Sequence, residues 1–301
     1  METGRIGSND LIIFVSWHLI AEKDVAAQMD AATEHNMKAI LKGTIRSTRA
    51  GVALISAASF LASAQAGAQT FSEDFSAGND DAFTHYDPVA GTIGPRGSWT
   101  VESGAYHIQA SSTVPFNGLV GPTRAGSLVT GVDAGNFDAT FDLSTFNKDL
   151  PQFVGLGARL SDQGLGTTDG YVFGYDNSFG GLFISKVTDE QVSGVIAFTP
   201  LTLDPAKSYH FTFSAAGPSL SGTVAESAPG SALLGNISGT DATYSSGSVG
   251  FIIADNSTDG SFGADATFDN LTVTQVPEPA HLALFSGLFF LAAGAFRRFR
   301  K

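Results

Sequence analysis

The chain has 301 residues, a formal net charge of −13, 43% hydrophobic and only 15% charged residues, and no cysteine. That length admits one large domain or two small ones, and the lack of cysteine excludes disulfide staples and thiol chemistry. Between Gln69 and Val276 six basic residues face 22 acidic ones, a net of −16; a surface of that sign repels phosphate backbones, which disfavours nucleic acid as a partner.

Apolar residues recur along the whole chain, so it can bury a core and is not a disordered polymer. The 35 Gly and 24 Phe, beside few Lys and Glu, suit many short strands joined by turns. A body of about 200 residues can stabilise itself by core burial alone, or by a core plus a metal.

Taken in chain order, residues 1–36 hold a short apolar run, Leu11 to Ile20, and then an acidic stretch. They read as a misassigned upstream extension with Met37 as the start; the alternative is an unusually long leader. From Met37, Lys38, Lys42, Arg46 and Arg49 form a positive segment, Ala50 to Ala62 an apolar one, and Ala66-Gly67-Ala68 an A-x-A cleavage signature. Positive, apolar and small residues in that order read as a signal peptide over residues 37–68, a helix removed by signal peptidase after Ala68, with Ala64 and Ala66 as alternative sites.

Residues 69–275 read as a single domain of strands. Phe137-Asp-Ala-Thr-Phe141-Asp-Leu143 and Tyr209-His-Phe211-Thr-Phe213-Ser alternate apolar and polar positions, one face for a core and one for water. Further runs are Thr70–Phe75, Ser98–Val101, Ala105–Gln109, Phe153–Leu160, Gly170–Tyr175, Leu182–Val187, Ser219–Ala225, Ser248–Ala254 and Ala266–Thr274, most of them bounded by Gly, Asn, Asp, Pro or Ser. No strand–helix–strand alternation is present, which argues against a parallel doubly wound sheet. The expectation is an all-β fold, a two-sheet antiparallel sandwich with Greek-key or jelly-roll connections.

The order Phe71-Ser-Glu-Asp-Phe75, Trp99-Thr-Val-Glu-Ser-Gly-Ala-Tyr106, Gly155-Leu-Gly-Ala-Arg159, Asp169-Gly-Tyr171-Val-Phe-Gly-Tyr175 and Phe268-Asp-Asn-Leu-Thr-Val273 resembles the concanavalin A-like, laminin-G-like jelly roll. That fold hosts lectins, hydrolases and structural modules, so the resemblance implies architecture and leaves function to the site.

At the C-terminus, residues 276–301, Pro277-Glu278-Pro279 precedes an apolar run from Ala280 to Phe296 and then Arg297, Arg298, Phe299, Arg300 and Lys301. As a helix the run measures ~25 Å, at the short limit for a bilayer core of ~30 Å. The basic end would stay cytoplasmic. The three-part arrangement resembles the PEP-CTERM sorting signal of Gram-negative bacteria. The resemblance implies processing near Pro277-Glu278-Pro279 by an exosortase and export to the outer surface, often in bacteria that make exopolysaccharide.

Catalytic motifs are not found. Laminarinase-like members of the fold carry Glu-x-Asp-x-x-Glu on one strand, and none of the four body Glu (Glu73, Glu102, Glu190 and Glu226) stands in it. Asp189-Glu190 reads as solvated turn charge. A hydrolase would need distant carboxylate pairs. His85, His107 and His210 do not make a zinc site, and His210 falls on the wet face of its strand. Structural calcium is the candidate cofactor, through Glu73, Asp74 and Asp269 at the two ends of the body; Asp and Asn also cluster in turns for conformational reasons. Sugar-binding candidates are Tyr86, Trp99, Tyr175, Asp176 and Asn177, rings to stack and acceptors for hydroxyls, with a core role as the alternative for Trp99. The functional reading is noncatalytic association with extracellular polysaccharide; a glycan hydrolase and an adhesive, protein-binding module are the rivals.

Overall fold

In the computed structural model the described residues are 68–92, 94–112, 123–257 and 262–276. All of them fall in one compact unit, Ala66–Lys301. The signal helix, the C-terminal hydrophobic helix and the sorting motif, expected within residues 37–68 and 276–301, lie outside the described residues except for Ala68, which is exposed, and Val276. Among the described residues no helix is long and apolar enough to cross a membrane.

Fifteen strands are present among the described residues. The first eight are β1 (Thr70–Glu73), β2 (Phe83–Tyr86), β3 (Gly97–Glu102), β4 (Ala105–Ala110), β5 (Arg124–Val129), β6 (Phe137–Phe146), β7 (Gln152–Ser161) and β8 (Asp169–Asp176). The rest are β9 (Gly181–Thr188), β10 (Gln191–Pro200), β11 (Tyr209–Ala216), β12 (Ser219–Glu226), β13 (Leu233–Thr240), β14 (Ser248–Asp255) and β15 (Ala264–Gln275). An eight-stranded sheet runs β13-β12-β11-β6-β15-β4-β3, with β1 also on β15; a seven-stranded sheet runs β10-β9-β8-β7-β14-β5-β2. The pairings are antiparallel, so the architecture is the expected all-β two-sheet sandwich.

The alternating runs form their strands for the reason the pattern gives. In β6 and β11 every second residue is buried, and Phe137, Ala139, Phe141 and Leu143 lie opposite Ala215, Phe213, Phe211 and Tyr209 on the core face. Four strands are additional to the runs expected from sequence: β2, β5, β10 and β13. β2 is only four residues long, β5 reads Arg-Ala-Gly-Ser-Leu-Val, and the side chains of β10 and β13 are largely exposed at the two sheet edges, so none carries a clean period of two.

Aromatic rings fill the space between the sheets. Phe251 of β14 stacks on Phe268 of β15 at 4.4 Å between centroids, Phe75 on Tyr106 at 4.7 Å, Phe141 on Phe211 at 4.9 Å and Phe173 on Phe213 at 5.0 Å. Such pairs add about 0.5–1.5 kcal/mol each beyond area burial, and they replace the covalent staples that a cysteine-free chain lacks. Phe75 enters the core from a left-handed backbone position, φ 53°. The Glu73 and Asp74 carboxylates hold that turn by accepting the N–H groups of Phe75 (2.8 Å) and Ser76 (3.0 Å).

One buried cation joins the loops at one end. Arg159, at the β-bulge of β7 with φ 51°, is almost fully buried. Its guanidinium donates to the carbonyls of Gly135, Tyr244 and Gly217, each at 2.9 Å.

Replacing Phe251 by Ala opens a cavity at the centre of the ring stack. A stability loss of about 3–5 kcal/mol is expected, measured as the free energy of unfolding in denaturant.

Candidate functional site

The outer face of the seven-stranded sheet carries a groove, and several positions of its central strands on that face are glycine. Register places Gly126, Ile252, Gly155, Gly174 and Phe183 in one row across β5, β14, β7, β8 and β9. Leu128, Gly250, Gly157, Val172 and Ser185 form the next row. A Cβ on Gly155 would lie 2.2 Å from the Phe173 carbonyl oxygen, one on Gly174 2.2 Å from that of Val154, and one on Gly250 2.0 Å from that of Ser127. Neighbouring backbones therefore approach more closely on this face than side chains would allow.

The groove encloses about 720 Å³, within the usual range for a ligand cleft. Phe153, Val172, Val187, Ile252 and Ala254 line its floor; Phe179 and Phe183 line it further along, with ring centroids 5.9 Å apart. Phe179 is 70% exposed. Tyr86, Leu128, Phe153, Leu160 and Ile252 make a small apolar cluster beneath, separate from the main core.

Charge is confined to the rims. At one end Glu190, in the two-residue turn between β9 and β10 (φ 49° and 63° at Asp189 and Glu190), is 2% exposed. Positive φ at both positions is the hairpin geometry that matches strand twist. Its carboxylate accepts the Tyr86 hydroxyl at 2.9 Å and the Gly166 N–H at 2.6 Å, and Arg124 Nε lies 3.6 Å away while Arg124 Nη1 donates to the Glu190 carbonyl at 2.6 Å. Glu190 is thus a buried acceptor, not the solvated charge expected from its neighbours in sequence. Burial pushes the Tyr86 hydroxyl well above the ordinary tyrosine value, with the Glu190 charge adding to the shift and the Thr168 hydroxyl bond opposing it.

At the other end Asp176 Oδ1 accepts Ser178 N–H (2.9 Å), Ser178 Oγ (2.6 Å) and Phe179 N–H (3.0 Å), which sets the turn that presents Phe179. Asn256 Nδ2 donates to Asp176 Oδ2. Asp255 accepts the N–H groups of Ser257 (2.7 Å), Phe262 (3.0 Å) and Gly263 (3.1 Å).

Of the sugar-binding candidates named from sequence, Asp176 lines this groove and Asn177 adjoins it, its amide donating to Leu150 O (2.6 Å) and accepting Gln152 N–H (2.8 Å). Tyr86 and Tyr175 are buried, Tyr175 in the main core, and present no ring face to solvent. Trp99 sits apart at the β2–β3 edge, half-buried, stacked on His85 at 4.1 Å and donating Nε1–H to Gly126 O at 3.0 Å. Phe179, Phe183 and Arg124 are not among the residues that the sequence marks. The available signal was the Asp176-Asn-Ser-Phe179-Gly turn, a large apolar residue inside a polar turn.

Among the described residues no group of three or more His, Cys, Asp or Glu side chains is arranged to hold a metal ion. Glu73 and Asp74 are spent on their own turn, as described above. Asp269 lies close enough to Asp74 and Asp142 for both charges to act on it, and burial is the larger influence; together they raise its carboxyl above the ordinary value, against the Asn270 N–H bond (2.7 Å).

The chain matches no protein-family model, and no curated protein matches it. Similar solved structures include the carbohydrate-binding module CBM66 from Bacillus subtilis, 17% identical with a TM-score of 0.46 over 65% of this chain and 96% of that one. Lectin II from Ulex europaeus is 10% identical with a TM-score of 0.46 over 69% of this chain and 99% of that one. A prokaryotic β-1,3-1,4-glucanase (lichenase) derived from a mouse hindgut metagenome is 11% identical with a TM-score of 0.49, again over 69% and 99%. These likenesses carry no functional argument; the residues of the groove must supply it.

A raised carboxyl contributes its full stability below its unfolded value and loses it as pH rises through the folded one, so ionised Asp269 costs stability at neutral pH. Asp269→Asn is expected to raise the melting temperature at pH 7 in chelator, with the gain vanishing toward pH 3, read by calorimetry across that range.

Proposed function

We propose that the chain is an exported surface or matrix protein of a Gram-negative bacterium, sorted by an exosortase, whose body associates with extracellular polysaccharide without cutting it. Signal peptidase removes the leader after Ala68. The apolar run 280–296 holds the precursor in the membrane, with Arg297, Arg298 and Arg300 on the cytoplasmic side, until the exosortase acts near Pro277-Glu278-Pro279.

The observation that carries the binding reading is the open groove, long and apolar along its floor, with an exposed Phe179 at its lip and carboxylates at both ends. An exposed ring stacks on the apolar face of a pyranose, and rim acceptors take its hydroxyl protons. The noncatalytic part follows from how those carboxylates are used. Glycoside hydrolysis asks one carboxyl to give a proton to the leaving oxygen and a second to act on the anomeric carbon or a water. Asp176, Asp255 and Glu190 are each turned to donors of their own chain, and none is aimed as a proton donor into the groove. One observation favours the adhesive rival: Val192 and Val195 on β10 and Leu233 and Leu234 on β13 are exposed apolar residues on two edge strands.

On a glycan array the full-length chain in mild detergent is expected to be retained on a subset of bacterial polysaccharides, with no reducing ends released during the same incubation. Released sugar would overturn the noncatalytic reading; retention on no glycan would leave the adhesive one. Separately, Pro277→Ala, Glu278→Ala and Pro279→Ala together are expected to leave the C-terminal peptide attached in the native host, seen as a higher intact mass than the processed wild type.

A further inference from the structure

We propose that the groove selects an N-acylated amino-sugar polysaccharide, its acyl methyl groups on the floor and its amide N–H groups turned to the rims. The inference rests on the reading of this groove as a polysaccharide site and specifies which chemistry fits it.

The floor decides the first half. Phe153, Val172, Val187, Ile252 and Ala254, with glycine between them, offer a sugar hydroxyl hardly any partner; Ser185 is the polar side chain among them and is itself buried. A hydroxyl pressed onto such a surface loses its water without a replacement bond, whereas a methyl group gains by leaving water. A plain glucan, with hydroxyls around every ring, therefore fits the floor poorly.

The rims decide the second half. Asp176, Asp255 and Glu190 are acceptors, and Arg124, the cationic side chain lining the groove among the described residues, is already directed at Glu190. Among the described residues Asp176 Oδ2 takes one donor, Asn256 Nδ2, and Asp255 Oδ1 takes one, Ser257 N–H at 2.7 Å. A carboxylate oxygen has two lone pairs, so a ligand N–H can share such an acceptor with a donor of the chain. Three carboxylates against one guanidinium also repel uronate, sulfate or pyruvyl groups. An acylamino substituent carries a methyl group and an N–H donor together, and so meets floor and rim at once.

The test is titration calorimetry of the full-length chain in mild detergent with three oligosaccharides: β-1,4-linked N-acetylglucosamine, β-1,4-linked glucose of the same length, and oligogalacturonate. The first two share a backbone and differ at the acetamido group. The acetylated chain is expected to bind about tenfold more tightly, equivalent to about 1.4 kcal/mol, and the uronate not at all. Val172→Thr, nearly isosteric, places a hydroxyl on the floor and is expected to erode that preference about threefold or more. Phe179→Ala, at an exposed ring that the fold does not need, is expected to weaken both neutral ligands alike. Equal or tighter binding of the glucose oligomer, a preference for uronate, or a folded Val172→Thr variant with its preference intact would overturn the inference and leave the polysaccharide reading standing. If no oligosaccharide and no native exopolysaccharide binds, both fall.

Discussion

The close approach of glycine backbones is the constraint that governs the outer face of the seven-stranded sheet. Gly155 faces Gly174 and Gly157 faces Gly250 across the ladder, and a Cβ at Gly155, Gly174 or Gly250 would meet a neighbouring carbonyl oxygen at 2.0–2.2 Å, far inside van der Waals contact. Glycine in a strand interior weakens the strand by losing both packing and conformational restriction. Here that weakness is offset from the opposite face, where Val154, Leu156, Phe173 and Phe251 of the same strands are fully buried against the other sheet. The large rings on one side hold the strands together. Arg159 sits in the bulge near the end of β7, and its three carbonyl bonds tie loops from separate parts of the chain to that bulge. A buried guanidinium is tolerated only where every donor finds an acceptor, and the loops around residues 135, 217 and 244 supply them.

Charge follows a second rule. The chain is strongly acidic, yet the buried or half-buried carboxylates are matched to specific donors. Burial alone would raise Asp241, but hydrogen bonds from Thr243, Tyr171 and Lys186 hold it well below the usual carboxylate range. His85 pairs with Asp80 at 2.6 Å, His107 with Asp265 at 3.1 Å and His210 with Asp142 at 2.8 Å. Asp269, pressed by two like charges, is the exception. The surplus negative charge that remains on the surface shapes what the body can approach, and a neutral or weakly cationic polymer meets the least repulsion.

The sheets were legible where burial is one-sided. Phe137–Phe146 and Tyr209–Ala216 alternate because one face meets the core and the other water, and that period survives in the sequence. In β7 residues on both faces are buried, and Phe153–Ala158 reads as apolar residues and glycine without alternation. β10 and β13 were illegible because an edge strand need not bury alternate residues, and β2 because four residues are too few to show a period. At the site, Asp176 and Asn177 stood out as a turn, which they are, but the ring that their turn exposes, Phe179, did not. Glu190 was misread for a different reason. Its immediate neighbours are those of a surface hairpin, and its partner Tyr86 lies 104 residues away. Only the fold brings them together, so local pattern reports the turn and misses the buried acceptor.

The two faces of the seven-stranded sheet are also energetically separable, and that bears on how such a surface can diversify. Phe153 and Ile252 of the groove floor belong to a small cluster with Tyr86, Leu128 and Leu160 on the outer face, while the main core lies on the far side of the same strands. Phe179, Phe183, Val192 and Val195 line the groove without joining the main core. Their substitution changes little of the large buried area that stabilises a cysteine-free domain, because stability effects at distant, unshared sites add independently. The glycines do not share that freedom: a Cβ at Gly155, Gly174 or Gly250 is excluded by backbone, not by a movable side chain. The exposed side chains of this face can therefore vary while its close-packed backbone stays fixed by the glycines.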